Sequence, residues 1–191
     1  MFKCLNVKMI GRGFTLIEMM VTITIFSIVI GVILGIFISG VQQQRIALTG
    51  QVLLDQTSYA LEYMSRALRM ARKELLSPAC LSQNGLNYEI TRSGAGLKFI
   101  NHLQNDDCQE FFLESGQLKY WKKSTGETLP LTSNKLEIAQ LKFNLAGESQ
   151  EDDLQPRVTI FSEVKGKGTL EASQRIKIQT TISQRNLDVV Y

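Results

Sequence analysis

The chain has 191 residues with 21 Lys and Arg against 18 Asp and Glu, and its formal charge of +3 is carried entirely by Lys3, Lys8 and Arg12. The remaining chain is balanced, which argues against a nucleic-acid-binding body; no nucleic-acid partner is expected. About 27 residues (14–40) form an apolar run, so roughly 150 are left for one compact domain.

Taken in chain order, residues 1–13 are a short basic leader and residues 19–39, MMVTITIFSIVIGVILGIFIS, contain no charge and no proline. Some 20 apolar residues suffice to cross a hydrocarbon core of about 30 Å as a helix, so residues 14–40 are read as a transmembrane helix. The basic residues before the run place its N-terminus in the cytoplasm and everything after it outside. A secretory signal is the alternative, but its apolar core spans only about 7–15 residues and ends in small residues, unlike the IFISGVQQQ found here. Cys4 precedes the apolar run, which is the wrong place for a lipoprotein cysteine.

One carboxylate, Glu18, stands at the head of this run. A charged group inside an apolar helix is costly near the bilayer centre and less so toward its edge, which makes Glu18 a functional candidate. As a helix-end residue at headgroup level it would serve only as a boundary.

Leu53, Thr57, Ala60, Leu61, Met64, Ala67, Leu68, Ala71 and Leu75 recur at spacings of three and four, which predicts a helix over residues 41–76 with its apolar stripe on a core. Glu62 and Arg66 form an i,i+4 pair on its polar side. Ser77-Pro78 supplies the stop. With the transmembrane part, the helix would run some 90 Å at ~1.5 Å per residue.

Beyond Pro78 the period becomes two. Strands are predicted at 86–90, 97–100, 110–113, 117–121, 136–145, 157–161 and 173–183, separated by SGAG, ESGQ and STGE turns and by a polar loop at 147–155. In the last strand Ile176, Ile178 and Ile182 share one face, which is expected to rest on the helix.

RGFTLIEMM (12–20), with Gly13 followed by Phe14, Thr15, Leu16, Ile17 and Glu18 after a basic leader, resembles the processing site of type IV prepilins and type II secretion pseudopilins. The resemblance implies an α+β, pilin-like fold: a long N-terminal α-helix, its first half transmembrane, packed on a C-terminal antiparallel β-sheet head (residues 77–191). It also implies cleavage after Gly13 by a prepilin peptidase, N-methylation of Phe14, and assembly with other pilins on an inner-membrane platform. The Glu18 carboxylate would attract the N-terminal amine of an adjoining subunit. LDQTSYALEYMSRALRMARK (54–73), LTS (131–133), QPRVTI (155–160) and QTTISQRN (179–186) look like the larger J-type, PilW-like minor pilins. Many major pilins carry proline where this chain has Gly35, so a proline bend is not carried over. Gly31, Gly35 and Ser39 make a row of small residues of the kind that lets helices approach in lipid, or a passive one.

Cys80 and Cys108 are the two cysteines left outside the membrane, where disulfides persist, so a Cys80–Cys108 bridge is expected, with two free buried thiols as the alternative. The acidic clusters at 105–107 and 151–153 lack the spaced ligands of a calcium loop, so no metal and no cofactor are expected. The single histidine, His102, has no GxSxG or HExxH around it, and GKGT (166–169) lacks the first glycine of a phosphate loop. The chain is therefore read as a non-enzymatic filament subunit. The rival reading is a membrane-anchored extracytoplasmic binding domain whose anchor is never cut.

Overall fold

The computed structural model describes residues 13–75, 79–147, 154–167 and 174–185. The leader through Arg12, the Ser77-Pro78 stop, the acidic cluster at 151–153, most of the polar loop and the end of GKGT lie outside the described residues. Two compact units divide the chain between Gln44 and Arg45. One helix, α1 (Leu16–Arg69), supplies nearly all of the first unit's described residues and contributes its C-terminal part to the second.

The second unit is an α+β head. Among the described residues nine antiparallel strands follow α1: β1 (Ala71–Arg72), β2 (Tyr88–Thr91), β3 (Gly96–Asn101), β4 (Asp107–Glu114), β5 (Gln117–Lys122), β6 (Thr128–Pro130), β7 (Leu136–Ala146), β8 (Arg157–Gly166) and β9 (Arg175–Ser183). The first six form one sheet in the order β1-β3-β4-β5-β6, with β2 beside β1 on the same edge of β3; the last three form a second sheet, β7-β8-β9.

The stripe read along the helix is what joins them. Leu53, Thr57, Ala60, Met64, Ala67 and Leu68 are buried, and Thr57 hides its hydroxyl by donating to the Leu53 carbonyl at 2.6 Å. The apolar members of the stripe enter one cluster with Tyr88, Phe99, Phe111 and Leu118 of the larger sheet and Ile138, Leu141, Val158, Ile160 and Ile182 of the smaller. Each fully buried Leu or Ile contributes about 1.5–3 kcal/mol relative to exposure. Glu62 and Arg66 pair on the exposed side.

The helix was expected to reach Leu76 and ends seven residues earlier, at Arg69. Ala71 and Arg72 instead pair with Asn101 and Ile100 of β3, and Leu75 is exposed. No glycine or proline stops the helix there. Tertiary donors do: the Tyr88 hydroxyl donates to the Leu68 carbonyl (2.7 Å), Arg185 N–H to Arg69 (2.8 Å) and His102 N–H to Met70 (3.1 Å), satisfying carbonyls that a helix end leaves open. Burial pushes the Tyr88 phenol well above its ordinary pKa, so it stays a donor.

In β7 the inward residues Ile138, Leu141 and Phe143 are spaced three and then two, which alternation alone cannot produce. A bulge between Ile138 and Gln140 absorbs the odd residue. The ESGQ stretch is a two-residue hairpin, with Ser115 (φ 53°) and Gly116 (φ 73°) both left-handed as the twist of the flanking strands demands. Two strands escaped sequence reading: β1, which has only two residues, and β6, whose Pro130 is tolerated because it lies on a sheet edge.

Gly96, opposite Thr91 at the β2–β3 turn, has no room for a side chain. A Cβ there would lie 2.2 Å from Thr91 Oγ1 and 3.2 Å from Glu110 Oε1, the oxygen that accepts from Thr91 Oγ1 (2.6 Å) and Arg92 Nε (3.1 Å). Gly96→Ala is expected to destabilise the head by about 1–3 kcal/mol, because it overpacks the site and displaces the Thr91–Glu110 hydrogen bond. A lowered urea midpoint of the detergent-solubilised chain checks this, and an unchanged midpoint refutes it.

Candidate functional site

The residues singled out at the N-terminus lie at the start of α1. Gly13 and Phe14 are exposed, extend ahead of the helix, and nothing approaches within 4 Å of where a Gly13 side chain would be. Thr15 and Glu18 close a reciprocal capping box: Thr15 N–H and Thr15 Oγ1 both donate to Glu18 Oε2 at 2.9 Å, and Glu18 N–H returns to Thr15 Oγ1 at 3.3 Å. Donors that a helix N-terminus leaves unpaired are thus satisfied without water, a requirement for backbone that must enter lipid. Reading the motif for its charge passes over Thr15, although the T-x-x-E spacing that signals a capping box is plain in the sequence. Among the described residues, no second partner reaches Glu18 Oε1.

Every residue from Gly13 to Gly40 is exposed in the isolated chain. The most apolar 18-residue window of α1 has a mean hydropathy of 2.8 and none of it is buried, unlike the core helix of a soluble protein. The few hydroxyls in the run bond back along the helix: Thr22 to the Met19 carbonyl, Thr24 to Val21 and Ser27 to Ile23, at 2.8–2.9 Å. They therefore present little unsatisfied polarity to lipid. Gly31 and Gly35 face open space.

Residues 11–34 match the family model described as the prokaryotic N-terminal methylation motif. The chain begins with a prepilin-type methylation motif. No curated protein and no solved structure matches the chain. The motif supports a type IV prepilin-like N-terminus, and the pilin-like order of long helix then antiparallel sheets accompanies it.

The remaining residues singled out in the sequence serve the head. Cys80 and Cys108 are joined as a disulfide, Cα–Cα 5.5 Å, and the buried Glu74 carboxylate holds the Cys80 segment by accepting from Cys80 N–H (3.1 Å) and Leu81 N–H (3.3 Å). Asp106 binds Arg72 (2.6 Å) and His102 (2.9 Å), and Asp107 takes both the backbone N–H and hydroxyl of Ser124. These carboxylates are committed to protein partners rather than simply solvated. Among the described residues no group of three or more His, Cys, Asp or Glu side chains is placed to hold a metal.

The stretches that resembled J-type minor pilins also carry fold contacts. Thr132 Oγ1 accepts from Leu118 N–H (3.1 Å), Ser133 N–H reaches Gln56 of α1 (3.0 Å), and Gln155 donates to the Gln184 carbonyl (3.2 Å).

Proposed function

We propose that this prepilin-type chain is a minor pilin or pseudopilin, cut after Gly13 by a prepilin peptidase, N-methylated on Phe14, and assembled with other pilins into, or at the start of, a type II secretion pseudopilus or a type IV pilus. The observation that carries the reading is the methylation motif at the head of an apolar helical stretch, through Gly40, in which no residue is buried, followed by a folded β head. The body motifs support the larger J-type, PilW-like group. Its work is association rather than catalysis: the apolar helices pack against neighbours or lipid, and the head docks on adjacent subunits and the inner-membrane assembly platform.

Lys3, Lys8 and Arg12 hold the leader in the cytoplasm and the head crosses to the other side. Cleavage after Gly13 creates a positive amine on Phe14, one helical turn from Glu18. Glu18 Oε2 is taken by Thr15, whereas Oε1 is free to receive an adjoining subunit's amine, so that two charges leave water as one neutral pair.

Intact mass of the membrane-extracted protein tests the reading. The expected product lacks residues 1–13 and carries one added methyl group on Phe14. Gly13→Val, which crowds the scissile bond, is expected to abolish processing. A chain that keeps its leader in cells possessing the peptidase would instead be an anchored binding domain.

A further inference from the structure

We propose that the groove between α1 and the start of the β7–β8 hairpin binds the headgroup of an anionic phospholipid through Lys135 and Lys167. The proposal rests on the reading of residues 14–40 as a membrane span and is independent of filament assembly.

The groove, about 390 Å³, is lined by Leu48, Thr49 and Val52 of α1 and by Asn134, Lys135 and Lys167, all within the second unit. Lys135 and Lys167 are distant in sequence and are brought together where Lys167 N–H donates to the Lys135 carbonyl at 3.1 Å. Both side chains are exposed, and among the described residues neither ammonium group has an ion-pair partner, whereas Lys119, Lys165, Arg175 and Lys177 each face a carboxylate. Among the described residues no acidic side chain lines the groove, and nearby Glu137 is already held by Lys165 at 3.0 Å.

Beside the two amines lie Leu48 and Val52, 52% and 41% exposed, one turn apart on the same helix face. Two unpaired cations next to exposed aliphatic side chains match a phosphate joined to glycerol and the first methylenes of an acyl chain. A free anion would use only the amines, and an acidic protein surface would leave the aliphatic wall uncovered.

Connectivity gives the lipid access. Thr49 follows Gly40, the last residue of the apolar run, by nine residues, which span roughly 14 Å at the helical rise and about 30 Å even fully extended. The groove therefore stays within roughly 30 Å of the end of the span, and lipid binding would draw it down to the headgroup layer. The positive charge here is set outside the membrane by folding, and no run of basic residues in the sequence announces it.

The test uses the full chain reconstituted into phosphatidylcholine vesicles with and without phosphatidylglycerol, labelled by a neutral amine-acylating reagent and read residue by residue by mass spectrometry. Phosphatidylglycerol is expected to slow labelling of Lys135 and Lys167 about fivefold, the protection one lysine gains at an anionic surface, with reversal in high salt. Lys142, exposed on β7 outside the groove, is expected to label equally in both membranes. In Lys135→Gln the protection of Lys167 should weaken, since the phosphate loses one of its two cations.

Equal labelling of Lys135 and Lys167 in both membranes overturns the proposal. Protection by inorganic phosphate in plain phosphatidylcholine vesicles would make it a free-anion site, and protection that grows with protein density would make it a contact with a second copy; either result also overturns it. Flotation of the chain with phosphatidylcholine vesicles tests the membrane span separately, so failure of the anchor and failure of the groove are told apart.

Discussion

Glu18→Gln is expected to leave the chain inserted in the membrane and cut after Gly13, yet to lower its crosslinking to partner subunits about tenfold or more, because an amide cannot neutralise an incoming amine in a low-dielectric setting. Glu18→Leu should assemble no better and should also loosen the first helical turn. The two variants separate the cap that Glu18 forms with Thr15 from the amine-binding role proposed for the same side chain. Glutamine keeps an oxygen for Thr15 N–H and can complete a capping box, whereas leucine cannot. If Glu18→Gln assembles normally and Glu18→Leu does not, the carboxylate acts as a cap and its charge is irrelevant. If both assemble normally at equal membrane amount, Glu18 has no part in assembly. Thr15→Ala completes the series by removing the hydroxyl that donates to Oε2 while keeping the charge.

Replacing both Cys80 and Cys108 by serine is expected to cost about 3–4 kcal/mol of head stability, the loop-closure entropy of a bridge spanning 28 residues of sequence. The loop closed by the bridge holds the 79–87 segment, which has little regular structure of its own. Its order depends on the bridge, on Glu74 accepting from Cys80 and Leu81, and on the Glu74 N–H to Leu86 carbonyl bond at 2.9 Å. Urea unfolding of the serine variant and of the reduced wild type should give the same lowered midpoint. Free alkylation of both thiols in denatured, never-reduced protein would show that the bridge does not form in the mature chain. Hydrogen exchange should quicken first and most in the 79–87 segment, and in β7, β8 and β9 only as far as global stability falls.

What the sequence determined by itself is local and periodic. The uncharged run at 19–39, the T-x-x-E pair at its head, the three-four stripe from Leu53 to Leu68 and the two-residue alternation of β9 each depend on neighbours a few positions away, where helix and strand geometry dictate which side chains share a face. Charge near the N-terminus is legible for the same reason, since it needs only the order of residues. The methylation motif belongs to this class, and it is matched by sequence alone. What only the tertiary structure decided are features whose partners lie far along the chain. α1 stops at Arg69 because Tyr88, Arg185 and His102 supply donors to its last carbonyls and to Met70, although its own residues would carry the helix on to Leu76. Thr128–Pro130 becomes a strand because β5 offers it an edge, and the strands separate into two sheets because both must cover one helix stripe. Lys135 and Lys167 meet because β7 and β8 pair. A backbone hydrogen bond or a buried contact is worth the same whether its partner is four residues away or a hundred, but only the near partner leaves a pattern in the sequence.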